Sequence, residues 1–355
     1  MKDVAVASLH LFRMFPYKVF RERVMIPNSL ATLCFAQCLP HTLKLRSSEF
    51  LLLKRSVEMT NPINEQLLKL HYILPLSWNK VLNLMKITDD FDEILHISPK
   101  FLAVQLNIKE EKASQLIKHY KELIPRSMAI YYGQHNITAI PYTNPLYPER
   151  LKQLYDAPAV IYAKGDIQLL NRPKVIAVIG SRAATSYSED VLNFILPPLI
   201  REQYVIVSGL AKGADRLAHE ATIRYGGKTI GVLGHGFFHS YPPQNKELNA
   251  FMACEHLIVT EYPPYVGVQK WHFPARNRII SGLSEALVVT EAALKSGTLI
   301  TTELALEQGK DVFAVPGNIF SEQSRGTNKL IKEGAIPVWD GFQILEEIRL
   351  FSKSR

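Results

Sequence analysis

The chain has 355 residues, 47% of them hydrophobic and 21% charged, with a formal net charge of +8. That is enough material to bury a substantial core in two or more domains. A basic balance suits a polyanionic partner, yet residues 1–58 alone carry nine Lys/Arg against four Asp/Glu. Local clusters, not the global charge, must therefore locate a site.

No stretch reaches the ~18 uninterrupted apolar residues of a membrane span. The short apolar run Val4 to Phe12 is closed by Arg13 without a small-residue cleavage site, which argues against a signal peptide. Cys34, Cys38 and Cys254 are too few for a disulfide framework, and Cys34 and Cys38 lack neighbouring metal ligands. A reducing compartment and no structural metal are expected.

Residues 1–58 mix apolar and basic residues without a sustained period, and Pro16, Pro27 and Pro40 interrupt them. They read either as a basic arm or as an extension created by start-site choice. Met59 opens the helical segment, and the second reading is preferred. Between 62 and 123 several short helical patterns follow one another. Leu67, Leu68, Leu70 and Ile73 form one stripe, and Val81, Leu82 and Met85 the next. Asp89 or Asp90 can cap a third helix, Ser98-Pro99 opens a fourth, and Lys109 to Leu123 is a longer amphipathic one. Modules of this kind serve as DNA binders and as protein adaptors alike. Residues 126–172 read as a linker and lead-in to a sheet.

From Pro173 the pattern becomes strand–helix alternation. Expected buried strands are Val175–Ile179, Tyr204–Ser208, Thr229–Leu233, His256–Thr260, Ala286–Thr290 and Val312–Val315. Their spacing predicts βαβ units and a parallel sheet, an α/β fold whose ligands gather beyond the carboxyl ends of the strands.

Unusual residues fall at those ends. Gly180-Ser181-Arg182 offers close backbone approach, a hydroxyl and a guanidinium fork. Ser208-Gly209 begins a glycine-containing turn into a helix whose N-terminus favours phosphate. Lys295-Ser296-Gly297 opens another helix. Any one such loop serves equally well to pack strand on helix, but their shared sheet edge favours ligand binding. Between them Trp271 to Ala293 sets Phe273 beside Arg276, Asn277 and Arg278. Cations, an aromatic face and backbone N–H groups together suit single-stranded nucleic acid. The plainer alternative is a solvated helix edge with surface ion pairs.

Familiar catalytic and cofactor signals are missing. No GxGxxG follows the first strand, and Gly226-Gly227-Lys228-Thr229 leads from helix into strand, the reverse of a P-loop. His235 and His239 lack a carboxylate at ligand spacing. Asp215 and His219 stand at i, i+4 and can pair. Glu261 and Glu291 are the carboxylates nearest strand ends, and Glu291 is expected to hold Arg276 or Arg278 in place.

GSR at Gly180–Arg182, SGLAKGAD with His219, YPPQN at Tyr241–Asn245, FPARNRIISGLS at Phe273–Ser284, KSGTLIT at Lys295–Thr301, FAVPG at Phe313–Gly317 and GTNKLIKEGA at Gly326–Ala335 together resemble the DprA/Smf family. YPERLKQLYDAPAVIYAKG (Tyr147–Gly165) resembles the region preceding that family's Rossmann-like domain. The resemblance runs over roughly 62–350 in the family's order. It implies a small all-α sterile-alpha-motif-like domain at 59–125 and a Rossmann-like domain at 173–350, a mostly parallel sheet with helices on both faces, followed by a short tail, 351–355.

It also implies a cytoplasmic protein of natural transformation that binds single-stranded DNA, protects it and loads RecA recombinase. Such proteins work as homodimers without catalysis or cofactor. By motif the DNA-binding residues are Gly180, Ser181, Arg182, Ser208 and Gly209, then Lys270, Phe273, Arg276, Asn277 and Arg278, then Lys295, Ser296 and Gly297. Ser188 stands where the family often has glycine, Ala214 where a bulkier aliphatic residue is usual, and Ala157 replaces a proline. The terminal winged-helix domain of some members is not expected. An alternative is a nucleotide phosphoribohydrolase-type enzyme, echoed by Ser296-Gly297-Thr298 with Glu303; another is a protein-interaction scaffold.

Overall fold

A computed structural model describes residues 62–124 and 126–354. The N-terminal extension, Met59, Cys34 and Cys38 lie outside the described residues.

The described chain opens with helices α1 (Pro62–Ile73), α2 (Trp78–Met85), α3 (Pro99–Leu106), α4 (Glu110–Leu123) and α5 (Met128–Gln134). The sequence punctuates them directly. Ser98 caps α3 through its side chain to the Phe101 amide, with Pro99 in the first turn, and Asn107 ends α3 in the left-handed region. Leu67, Leu70, Val81, Leu84, Leu102, Leu106 and Leu116 meet in their shared core.

The expected linker is not one. Residues 126–172 contain α5, β1 (Thr138–Pro141), α6 (Glu149–Lys152) and β2 (Val160–Gly165). β1 pairs antiparallel with β2, and β2 pairs antiparallel with β6 (Leu257–Thr260). Ala159, Val160 and Tyr162 belong to the helical core, so this antiparallel margin carries the helical module on the sheet. Trp78 stacks on Tyr142 at 4.1 Å between centroids, and His71 Nδ1 hydrogen-bonds the Tyr162 hydroxyl at 2.9 Å.

The remaining strands are β3 (Val175–Ile179), β4 (Val205–Ser208), β5 (Thr229–Val232), β7 (Ala286–Val289), β8 (Asp311–Ala314) and β9 (Ile336–Pro337). The 9-stranded sheet runs β1-β2-β6-β5-β4-β3-β7-β8-β9 and is parallel from β6 to β9. Its strands read as unbroken apolar runs because both faces are covered.

Val175, Ala177 and Ile179 point to one core, packed under α10 (His272–Leu283), α11 (Gly297–Glu307) and α12 (Arg325–Lys332). Ile176 and Val178 point to the other, under α7 (Ser186–Arg201), α8 (Ala214–Arg224) and α13 (Gly341–Ser354). Helix α9 (Lys246–Glu255) packs Leu248 and Met252 on Ile258. The fold is Rossmann-like. Among the described residues no helix is long and apolar enough to cross a membrane.

Candidate nucleic-acid interface

β3 lies between β4 and β7, so the chain winds outward in opposite directions from this strand. Loops leaving the carboxyl ends of β3 and β7 then diverge and open a crevice. Here they stay tied at the root, because the Ser181 amide donates to the Glu291 carbonyl at 2.7 Å. Beyond that tie lies a groove of about 430 Å³. Gly180, Ser181 and Arg182 line it from the β3 loop, Phe273, Arg276 and Asn277 from α10, and Lys295, Ser296 and Gly297 from the start of α11. A narrow extension of about 40 Å³ continues past Gly209, Lys212 and Tyr241.

In the β3 loop glycine is required by close packing. A Cβ on Gly180 would overlap the Thr290 hydroxyl and the Ala214 methyl. The Ser181 hydroxyl accepts from the Ala183 amide at 3.0 Å. Ser181 is thus committed to the turn, whereas Arg182 is exposed. Its guanidinium lies 5.4 Å from the Phe273 ring centroid, a cation–π approach that holds the charge over the groove.

Glu291 does not hold an arginine. Its carboxylate accepts from the Thr185 amide and hydroxyl at 2.7 and 2.9 Å and from the Ser188 hydroxyl at 2.8 Å. It anchors the start of α7, and the serine at 188 is one of its donors.

The β4 loop differs from its expected role. Ser208 is fully buried and donates to the Val178 carbonyl at 2.6 Å, so its side chain cannot meet a ligand. Gly209 lies under the Arg276 guanidinium, where any Cβ would collide. Arg276 is 3% exposed; it donates to the Gly209 and Val232 carbonyls and to Asn277 Oδ1. Burial lowers its pKa to about 10, with the Asp215 charge opposing. Burial raises the Asp215 carboxyl above its usual value, opposed by Arg276 first and then by the Ala211 amide. The expected phosphate position at the start of α8 is therefore taken by Asp215, whose carboxylate accepts from the Ala211 amide at 3.3 Å.

Arg278 also points elsewhere. Its two terminal nitrogens donate to Glu261 at 2.7 and 2.6 Å, and Nε donates to the Asp156 carbonyl at 3.0 Å. Burial lowers its basicity, but the Glu261 pairing outweighs this and leaves the pKa raised. Lys270 is exposed ahead of α10, and neither the groove nor its extension counts it as lining. His219 pairs through Nδ1 with the Thr229 hydroxyl at 2.7 Å rather than with Asp215. His235 and His239 meet the backbone carbonyls of Gly236 and Tyr265.

The α11 end is the open one. Lys295 is exposed, Gly297 has open space where a Cβ would be, and the Ser296 hydroxyl, at the helix N-cap, is buried without a partner among the described residues. Exposed cations, a helix N-terminus without a side-chain cap and an aromatic wall thus share one groove. Sequence reasoning passed over Lys212 and Tyr241, which line the extension, and Gln323, which lines the groove. Lys212 and Tyr241 stand inside quoted motifs, and Tyr241 packs 5.5 Å from Phe273. Gln323, from the loop after β8, carried no signal. Among the described residues no group of His, Cys, Asp and Glu could hold a metal ion.

A family model described as DNA recombination-mediator protein A matches residues 138–349. The chain belongs to that family. It is 45% identical over 241 residues to the DNA processing protein DprA of Bacillus subtilis, covering 68% of this chain and 81% of that one. The structure of DprA from Streptococcus pneumoniae matches with a TM-score of 0.65 at 33% identity, over 86% of this chain and 99% of that chain. DNA processing protein A from Helicobacter pylori, whose structure concerns a unique single-stranded DNA binding mode, matches with a TM-score of 0.54 at 30% identity. That match covers 61% of this chain and 96% of its own. In this member of the recombination-mediator family, the motif arginines separate into an exposed cation, Arg182, and two struts, Arg276 and Arg278.

Proposed function

We propose that the chain binds single-stranded DNA in the groove at the carboxyl edge of its sheet. The observation that carries this reading is the convergence of exposed Arg182 and Lys295, the open start of α11 and the Phe273 ring on one groove. Phosphates meet the cations and helix amides, and a base can stack on Phe273, a combination that tolerates any sequence. The likeness to the Helicobacter pylori protein supports the single-stranded choice.

Within that reading Arg182, Lys295, Ser296, Gly297, Asn277 and Phe273 meet DNA, and Gly180 and Ser181 shape the turn that presents Arg182. Ser208, Gly209, Arg276 and Arg278 shape the walls instead, and Lys270 extends the track beyond the groove. The chain acts in the cytoplasm as a homodimer in natural transformation, protecting the strand and loading RecA recombinase onto it without catalysis. Two copies side by side lengthen the DNA track and raise effective concentration.

Loading is tested by following RecA filament growth on oligo-dT coated with single-strand-binding protein. Shortening of the lag by the wild-type chain but not by Arg182→Ala/Lys295→Ala supports the reading. Equal lags with and without the chain contradict it. Release of free base from a nucleoside monophosphate would instead indicate the phosphoribohydrolase alternative.

A further inference from the structure

Two buried polar atoms without hydrogen-bond partners among the described residues, Ser296 Oγ and Gln323 Oε1, belong to residues lining the groove. Buried polar atoms are nearly always satisfied, so orphans at a ligand groove point to the ligand's own chemistry. The two atoms ask for different things. A hydroxyl can donate, so a phosphate oxygen satisfies Ser296. An amide oxygen only accepts, and needs a donor.

Gln323 is held where it is by its backbone, whose carbonyl accepts from the Ala292 amide at 2.7 Å. That bond fixes the loop after β8 against the loop after β7, beside Lys295 and the start of α11. The side-chain amide oxygen, Oε1, is left without a hydrogen-bond partner among the described residues. Between its ends a DNA strand has no donor on phosphate or deoxyribose. Its donors are the base N–H groups: N3 of thymine, N6 of adenine, N4 of cytosine, N1 and N2 of guanine.

We infer that Gln323 accepts a hydrogen bond from a nucleobase N–H of a strand lying in the groove. This rests on the single-stranded-DNA reading above and makes the groove a contact for base edges as well as phosphates. Phe273, another lining residue, supplies a base face; Gln323 supplies an edge contact. Every base carries at least one N–H, so the contact costs no generality of sequence.

The test compares labelled oligo-dT with an oligonucleotide of N3-methylthymidine, which removes thymine's one hydrogen-bond donor and keeps the charge. Full-length wild type is expected to bind oligo-dT about 5-fold more tightly, in line with one net hydrogen bond. Gln323→Met and Gln323→Ala should bind both oligonucleotides alike, at the affinity of wild type for the methylated one. That retained affinity also shows that the variants are folded. Equal wild-type binding of the two oligonucleotides overturns the inference, as does a full preference for oligo-dT in both variants. Loss of both oligonucleotides by both variants also overturns it, because Gln323 would then act on the loop and not on a base. Failure of wild type to bind either oligonucleotide overturns the single-stranded-DNA reading itself.

Discussion

The Arg276 guanidinium lies directly on the α-carbon of Gly209, and a methyl group at 209 would occupy its space. The same guanidinium donates to the carbonyls of Gly209 and Val232, joining the ends of β4 and β5. Glycine is present at 209 to admit the arginine, and the arginine is present to satisfy carbonyls at the sheet edge. The pair builds the wall between the groove and its narrow extension.

Gly209→Ala is therefore expected to displace Arg276 and cost about 3 kcal/mol of stability, the scale of a buried charge stripped of its partners. In an Arg276→Met background the same change should be close to neutral, because the colliding group is gone. Urea denaturation of the four proteins measures the coupling. Additive losses would show that the two residues act independently.

Arg278→Ala should behave differently from a loss of DNA contact. Its bidentate pair with Glu261 is largely shielded, with side-chain exposures of 14% and 13%. Removing one partner leaves the other charge partly buried, at a cost of about 2–3 kcal/mol after allowing for residual solvent. The slope of DNA affinity against salt should remain that of wild type. A slope shallower by ~0.7, the mark of one lost phosphate contact on a single strand, would return Arg278 to the DNA-binding set.

Acid should unfold the chain through its buried imidazoles. Burial lowers His71 and His219 to about 3 and His256 to about 4, from 6.5. Between those values and 6.5 the unfolded chain binds more protons than the folded one. Stability is then fully present above pH 6.5 and falls as pH drops toward 3–4, each histidine contributing a slope near 1.4 kcal/mol per pH unit. Asp215 works in the opposite direction, because its raised folded pKa makes stability fall as pH rises above 3.8. Urea midpoints between pH 7 and 4.5 should decline for wild type and less steeply for His219→Gln. An unchanged slope in that variant would remove His219 from the account.

The central strands are legible in sequence because burial on both faces writes them as unbroken apolar runs, as in Val175–Ile179. β1 and β2 are not. β1 is Thr-Ala-Ile-Pro, ending on a proline that demotes a strand reading, and β2 follows Pro158 in a stretch that also suits a linker. Loops such as Gly180–Arg182 are legible through their glycines. The direction of a side chain is not. Arg276 and Arg278 stand two apart on α10, so they point about 200° apart around the helix, one toward Gly209 and one toward Glu261. Their partners lie far away along the chain, and nothing local distinguishes a strut from a contact. Gln323 is hidden for the same reason, since its place beside Lys295 comes from the order of β7 and β8.

The measurement that bears most directly on the central claim is fluorescence anisotropy of labelled oligo-dT and of a matched duplex, across a salt series. It requires wild type and Arg182→Ala/Lys295→Ala. The account predicts salt-sensitive binding by wild type that prefers the single strand. In the double variant binding should weaken for all sequences alike, with a salt slope shallower by ~1.4 for two lost phosphate contacts. Equal or better binding of the duplex, or a double variant with unchanged affinity and slope, would contradict it.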